Sequence, residues 1–179
     1  MFRLIYGCGL RLSEALNLKL RDVDVIEGTL IILQSKNNKD RKIPMAKSLI
    51  NRCKKYNKEI HLFNDQNAYY FKSSLNKRLD SSTAYRRFRE YLRHTGIPHS
   101  GHGPRIQDLR HAYCVHCLKR WVLDEKDLTN LFPYLSAYLG HADFRGTQYY
   151  LRLTADLYPD IISKTEATLG YIIPERRDY

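Results

Sequence analysis

Residues 6–16 read Tyr6-Gly-Cys-Gly-Leu-Arg-Leu-Ser-Glu-Ala-Leu16. Leu12, Ala15, Leu16 and Leu20 recur at helical spacing, so residues 13–20 are predicted to form an amphipathic helix with Glu14 in its first turn. Gly7 and Gly9 lie just ahead of it, which puts Arg11 near the helix N-terminus. At such an end, unpaired backbone N–H groups and the helix dipole attract anions.

Outward from this stretch, residues 28–34, Gly-Thr-Leu-Ile-Ile-Leu-Gln, read as a strand and residues 41–45, Arg-Lys-Ile-Pro-Met, as a short second one. The polar link Ser35-Lys-Asn-Asn-Lys-Asp40 makes the pair a hairpin, and Pro44 gives its second strand a free edge. A helix is predicted from about Ala46 to Ile60, followed by a less regular stretch with Tyr69-Tyr-Phe-Lys72. Ser81 or Ser82 suits the N-cap of a helix running to about Thr95. It carries Arg86, Arg87, Arg89 and Arg93, a face open to two readings: solvated, or laid on a DNA backbone. Residues 96–104 form a Gly/Pro loop, and a helix follows from about Arg105 to Val122. Asp127–Leu139 reads as helical in part, with Pro133 near the start of a second piece and Gly140 ending it. A short helical segment then holds Tyr149 and Tyr150, and residues 155–179 are weakly patterned. The fold class is mainly α (α+β): helices around one small antiparallel sheet, in a single domain spanning 1–179.

Composition narrows the partner. The chain has 30 Lys and Arg against 19 Asp and Glu, a formal charge of +11. Such an excess favours a polyanion, because each cation placed on a phosphate releases condensed counterions. An anionic membrane is the competing polyanion, but no apolar run approaches the roughly 20 residues of a span and no secretory signal precedes the domain. With no signal peptide, the expected location is a reducing cytoplasm. Cys114 and Cys117 form a Cys-x-x-Cys with His111 and His116 close by. A structural zinc site wants a second ligand pair, and none is visible in the sequence. The two thiols are read as buried on the apolar stripe of a helix, and no metal or cofactor is expected.

Four segments together resemble the boxes of the tyrosine recombinase (phage integrase) family. The stretch Tyr6–Leu16 is similar to its G-L-R-x-S-E-A/L-L box. Lys36-Asn-Asn-Lys-Asp-Arg-Lys-Ile-Pro44 resembles its G-K-G-x-K-x-R-x-V-P turn. Arg105-Ile-Gln-Asp-Leu-Arg-His-Ala-Tyr113 is similar to R-x-H-D-L-R-H-T-F. Leu139-Gly-His-Ala-Asp-Phe-Arg-Gly-Thr-Gln-Tyr-Tyr150 resembles L-G-H-x-x-x-x-T-x-x-Y. They come in the family's order with ordinary gaps, and the resemblance spans Tyr6 to Leu153. It implies the catalytic-domain fold of the DNA breaking-rejoining enzymes.

The resemblance also implies a chemistry, cleavage and rejoining of DNA through a 3′-phosphotyrosine without metal or ATP. Arg11 and Arg110 would clamp the non-bridging phosphate oxygens, a task suited to a permanently ionised planar fork. Lys36 would donate the proton to the departing 5′-oxygen, with Lys39 as its rival. His141 would hydrogen-bond the scissile phosphate. Tyr150, nine residues after His141, would be the nucleophile in place of its neighbour Tyr149. Lys39, Arg41, Arg86, Arg87 and Arg105 are the expected further DNA contacts. Double-stranded DNA is the implied partner, a homo-tetramer on synapsed DNA the implied assembly of a full-length parent, and an excisionase an accessory protein. The fragment alone would be a monomer.

Two departures qualify that picture. Gln107 stands where the family has histidine, and a carboxamide can orient a phosphate or phenol but cannot take a proton. Three accounts are open: a natural slow variant, an engineered inactivation, or compensation by His111 or His102. Only ten residues precede Arg11, so an N-terminal DNA-binding domain and a first helix are expected to be absent, and the 155–179 tail to pack on a neighbouring protomer. The rival functional class is a DNA-binding or regulatory module that has lost catalysis. A metal nuclease ranks third, since no carboxylate cluster for Mg²⁺ is apparent.

Overall fold

A computed structural model describes residues 1–33, 40–63, 65–101, 103–141 and 150. The chain divides into two compact units, Met1–Arg110 and His111–Tyr179. In the first, α1 (Phe2–Cys8), α2 (Leu12–Asn17), α3 (Lys47–Ile60) and α4 (Ser81–His94) accompany a sheet of β1 (Val23–Asp24), β2 (Thr29–Ile32) and β3 (Arg41–Pro44). Helix α5 (Ile106–Leu123) crosses the division between units, and α6 (Leu128–Leu139) lies in the second. The mainly helical fold with one small sheet agrees with the sequence reading.

The sheet is antiparallel in the order β1-β2-β3. Leu30 and Ile32 of β2 and Ile43 of β3 are buried, as period-two alternation requires. Pro44 pairs with Thr29 on the outer strand β3, where its missing N–H leaves no gap in the ladder. Strand β1 is too short for its alternation to show in sequence. Helix α1 was also missed, because its seven residues run straight into the glycine-broken box.

Helix α2 begins one residue earlier than expected and stops at Asn17. The cap of α4 is Asp80 rather than Ser81 or Ser82; its carboxylate accepts from the Ser82 N–H at 2.8 Å. Along α4, Ala84, Phe88 and Leu92 are buried at a spacing of four, so Arg86, Arg89 and Arg93 fall on the opposite, exposed stripe.

In the second unit α6 is one helix, not two pieces. Asp127 caps it by accepting from the Thr129 N–H at 2.9 Å. Pro133 removes an internal hydrogen bond, yet it faces solvent while Leu128, Phe132, Leu135 and Leu139 are buried. Burial of that stripe against Cys114, Leu118 and Val122 of α5 outweighs the lost bond. Cys114 is fully buried, and burial pushes the partly covered Cys117 thiol up, with Tyr113 bonding against the shift. Among the described residues no three His, Cys, Asp or Glu side chains gather as a metal cluster, and no helix is long and apolar enough to cross a membrane.

Two left-handed glycines end helices immediately before candidate residues. Gly9 has φ 59° and Gly140 φ 66°. At each, the following N–H reaches back five residues, Leu10 to Ile5 O at 3.0 Å and His141 to Ser136 O at 3.1 Å. This is the Schellman closure, which only a residue without Cβ adopts at no steric cost. Gly9→Ala and Gly140→Ala should each lower stability by about 1–2 kcal/mol, read as a lower urea midpoint at unchanged slope.

Candidate active site

Arg11 is the N-cap residue of α2, with extended backbone. Its N–H donates to Glu14 Oε2 at 2.9 Å and its guanidinium to Glu14 Oε1 at 2.8 Å. Arg41 on β3 donates to the same carboxylate through both terminal nitrogens, at 3.1 and 2.9 Å. Arg110 on α5 lies 3.7 Å from Glu14 and donates to the Gly9 carbonyl at 2.8 Å. Three arginines from a helix cap, a strand and a second helix thus converge on one carboxylate.

Side-chain exposure within the cluster is graded: Arg11 21%, Arg41 10%, Glu14 5% and Arg110 1%. Burial alone would raise the Glu14 carboxyl. Hydrogen bonds from the Arg41 side chain and from the Arg11 backbone and side chain, with the Arg41 charge, outweigh it and hold Glu14 below the usual carboxylate range.

The expected residues are distributed as follows. Arg11, Arg41 and Arg110 meet at Glu14; Arg41, read as a DNA contact, is spent largely on that carboxylate. Gln107 and Arg105 are exposed at the start of α5, where the Arg105 N–H bonds Asp108 at 2.7 Å. Arg86 and Arg87 are exposed on α4, with Arg87 paired to Glu90 at 2.9 Å. Lys36, Lys39, Tyr149 and the 155–179 tail lie outside the described residues.

Within the second unit His141 and Tyr150 come together. Their rings stack at 6.0 Å with planes 14° apart. The Tyr150 ring also meets that of His111, at 5.5 Å and 56°. Tyr150 is 4% exposed and belongs to the apolar cluster of Cys114, Leu118 and Leu139. Sequence reasoning gave Glu14 no role, although it stands in the first box at the third helical position. It weighed His111 as a neighbour of the Cys-x-x-Cys pair and as a substitute for the residue at 107, not as a partner of Tyr150.

Residues 1–156 match the sequence model of the phage integrase family. The chain belongs to that family. It is 37% identical over 171 residues to a putative integrase/recombinase of Sinorhizobium fredii, spanning 93% of this chain and 54% of that protein. It is 36% identical over 155 residues to the tyrosine recombinase XerA of Pyrococcus furiosus, covering 85% and 49%. The chain therefore spans about half the length of the curated relatives it matches. A crystal structure of XerA recombinase superposes with a TM-score of 0.70 at 26% identity, over 98% of this chain and 55% of that one. The catalytic domain of bacteriophage HP1 integrase shares the fold at a TM-score of 0.56 and 17% identity, over 97% and 83%.

Glu14→Ala should destabilise the first unit by about 3–5 kcal/mol, since it strands buried guanidinium groups. The acid limb carries the sign of the shift. A carboxyl lowered in the folded state stabilises above its unfolded value, and that contribution is lost as pH falls from about 4.5 through the lowered value. Glu14→Gln should flatten this part of an acid-unfolding curve followed by circular dichroism.

Proposed function

We propose that this chain is the strand-cleaving and rejoining domain of a site-specific DNA recombinase of the integrase type. The observation that carries the reading is the meeting of Arg11 and Arg110, 99 residues apart in sequence, on one carboxylate beside a helix N-terminus. Four boxes in family order and the pairing of His141 with Tyr150 support it.

The reaction balances without an external energy source. The Tyr150 oxygen attacks phosphorus and the bond to the 5′-oxygen breaks, leaving a 3′-phosphotyrosine and a 5′-hydroxyl. The phenolic proton passes to water as the O–P bond forms, and Lys36 supplies a proton to the departing oxygen. Arg11, partly exposed, meets the non-bridging oxygens as charge grows on them. Arg110, shielded from water, adds a field that solvent screens little. His141 donates to the same phosphate. A 5′-hydroxyl from another strand reverses the step, so rejoining conserves the bond. A tetramer on paired sites and an accessory excisionase fit the same scheme.

Gln107 favours a second reading, a DNA-binding module with impaired catalysis, because the position is exposed and carries no proton acceptor. Nicked duplexes tiled across the DNA flanking the gene, denatured in SDS, separate the two. The recombinase reading expects a covalent protein–DNA adduct that Tyr150→Phe abolishes and Tyr149→Phe spares. Gln107→His should speed its formation by on the order of a hundredfold. Absence of adduct with every duplex, for parent and Gln107→His alike, favours the binding module.

Both readings require DNA binding. Replacing Arg86, Arg89 and Arg93 of α4 together by alanine should reduce the slope of log affinity against log salt by up to about 2.7, at 0.9 per phosphate contact. A filter-binding titration on random-sequence duplex measures it; an unchanged slope leaves that stripe merely solvated.

A further inference from the structure

Gln107, His111, Cys114 and Leu118 fall at helical spacing on one stripe of α5. The stripe grades inward: Gln107 is exposed, His111 half-buried, and Cys114 and Leu118 sealed in the apolar cluster that includes Tyr150. An apolar cluster alone could bury a tyrosine ring. Here two of its neighbours are imidazoles, His141 nearly parallel at 6.0 Å and His111 tilted by 56° at 5.5 Å. Tilted aromatic pairs at this separation gain from opposed quadrupoles as well as from burial. His141 follows the left-handed Gly140, so its backbone is pinned by the helix stop. His111 is pinned differently, by a full turn of α5 on each side.

We propose that His111 is a positioning residue for Tyr150, its ring holding the tyrosine in the orientation from which it attacks. The inference rests on the reading of Tyr150 as nucleophile. Contact is made through the ring, so an aromatic without nitrogen at 111 should substitute for it, whereas a small side chain should not.

Two measurements on the whole chain decide it. The first needs no DNA: nitration by tetranitromethane, mapped by peptide mass, reports how well Tyr150 is covered. Tyr150 should be protected in the parent and in His111→Phe and exposed in His111→Ala, each read well below its own melting transition. The second is the rate of SDS-stable adduct with the flanking-DNA duplexes. It should fall about tenfold in His111→Ala at unchanged DNA affinity, and recover in His111→Phe to within about threefold of the parent. A loss of packing alone would lower melting temperature and affinity together, which the split between rate and affinity excludes. Equal nitration in parent and His111→Ala overturns the proposal. So does a His111→Phe variant as exposed or as slow as His111→Ala, which would move the role from the ring to its nitrogens. An adduct that survives Tyr150→Phe, or none from the parent and Gln107→His alike, defeats the nucleophile reading instead, while nitration still decides the ring contact.

Discussion

A carboxylate 5% exposed, Glu14, holds guanidinium groups from α2's cap, from β3 and from α5. Unit charges about 4 Å apart repel by roughly 4 kcal/mol at an effective dielectric near 20. Gathering arginines in one cluster therefore works against the fold unless an anion stands among them. Glu14 is that anion, and its place at the third position of α2 also closes the helix N-terminus through the Arg11 N–H. One side chain thus joins local helix formation to long-range assembly. The Arg110 bond to the Gly9 carbonyl fastens the same cluster to the turn before α2.

The two glycine stops act at the level of backbone direction. After Gly9 the chain leaves α1 and enters α2 with only Leu10 and Arg11 between, so Arg11 has little freedom in where it emerges. After Gly140 the N–H of His141 is already tied to Ser136. In both units a candidate functional side chain is placed by a helix that has been made to stop, rather than by a long loop. Side chains so placed lose little entropy on meeting a ligand.

Much of this was legible because the relevant signals are local. The period-two alternation of Leu30 and Ile32, the four-residue spacing of Ala84, Phe88 and Leu92, and the breakers of residues 96–104 each act over a few positions. What escaped reading depends on partners far away. Asp80 displaced the serines as cap although all three are good capping residues, a choice sequence alone does not make. Pro133 implied a break, but the apolar stripe of α6 carried the helix through it. Glu14 was visible as a first-turn acid; that Arg41 and Arg110 would come to it from 27 and 96 residues away was not. Likewise nothing near His111 in sequence announces that Tyr150 lies against its ring.

Gln107, where the sequence reading departs from the family's box, is a position that the core does not constrain. Gln107 is exposed on the first turn of α5, where glutamine and histidine both fit a helix and neither is needed by the core. Its neighbours on the same helix differ: Ile106 is 1% exposed and Arg110 1%, and both are fixed by packing or hydrogen bonding. On the proposed recombinase reading, a substitution at 107 would change what the site can do with a proton without removing a group that the core or the arginine cluster needs. The recombinase proposal therefore assigns Gln107 to rate and leaves the fold to buried neighbours such as Ile106 and Arg110.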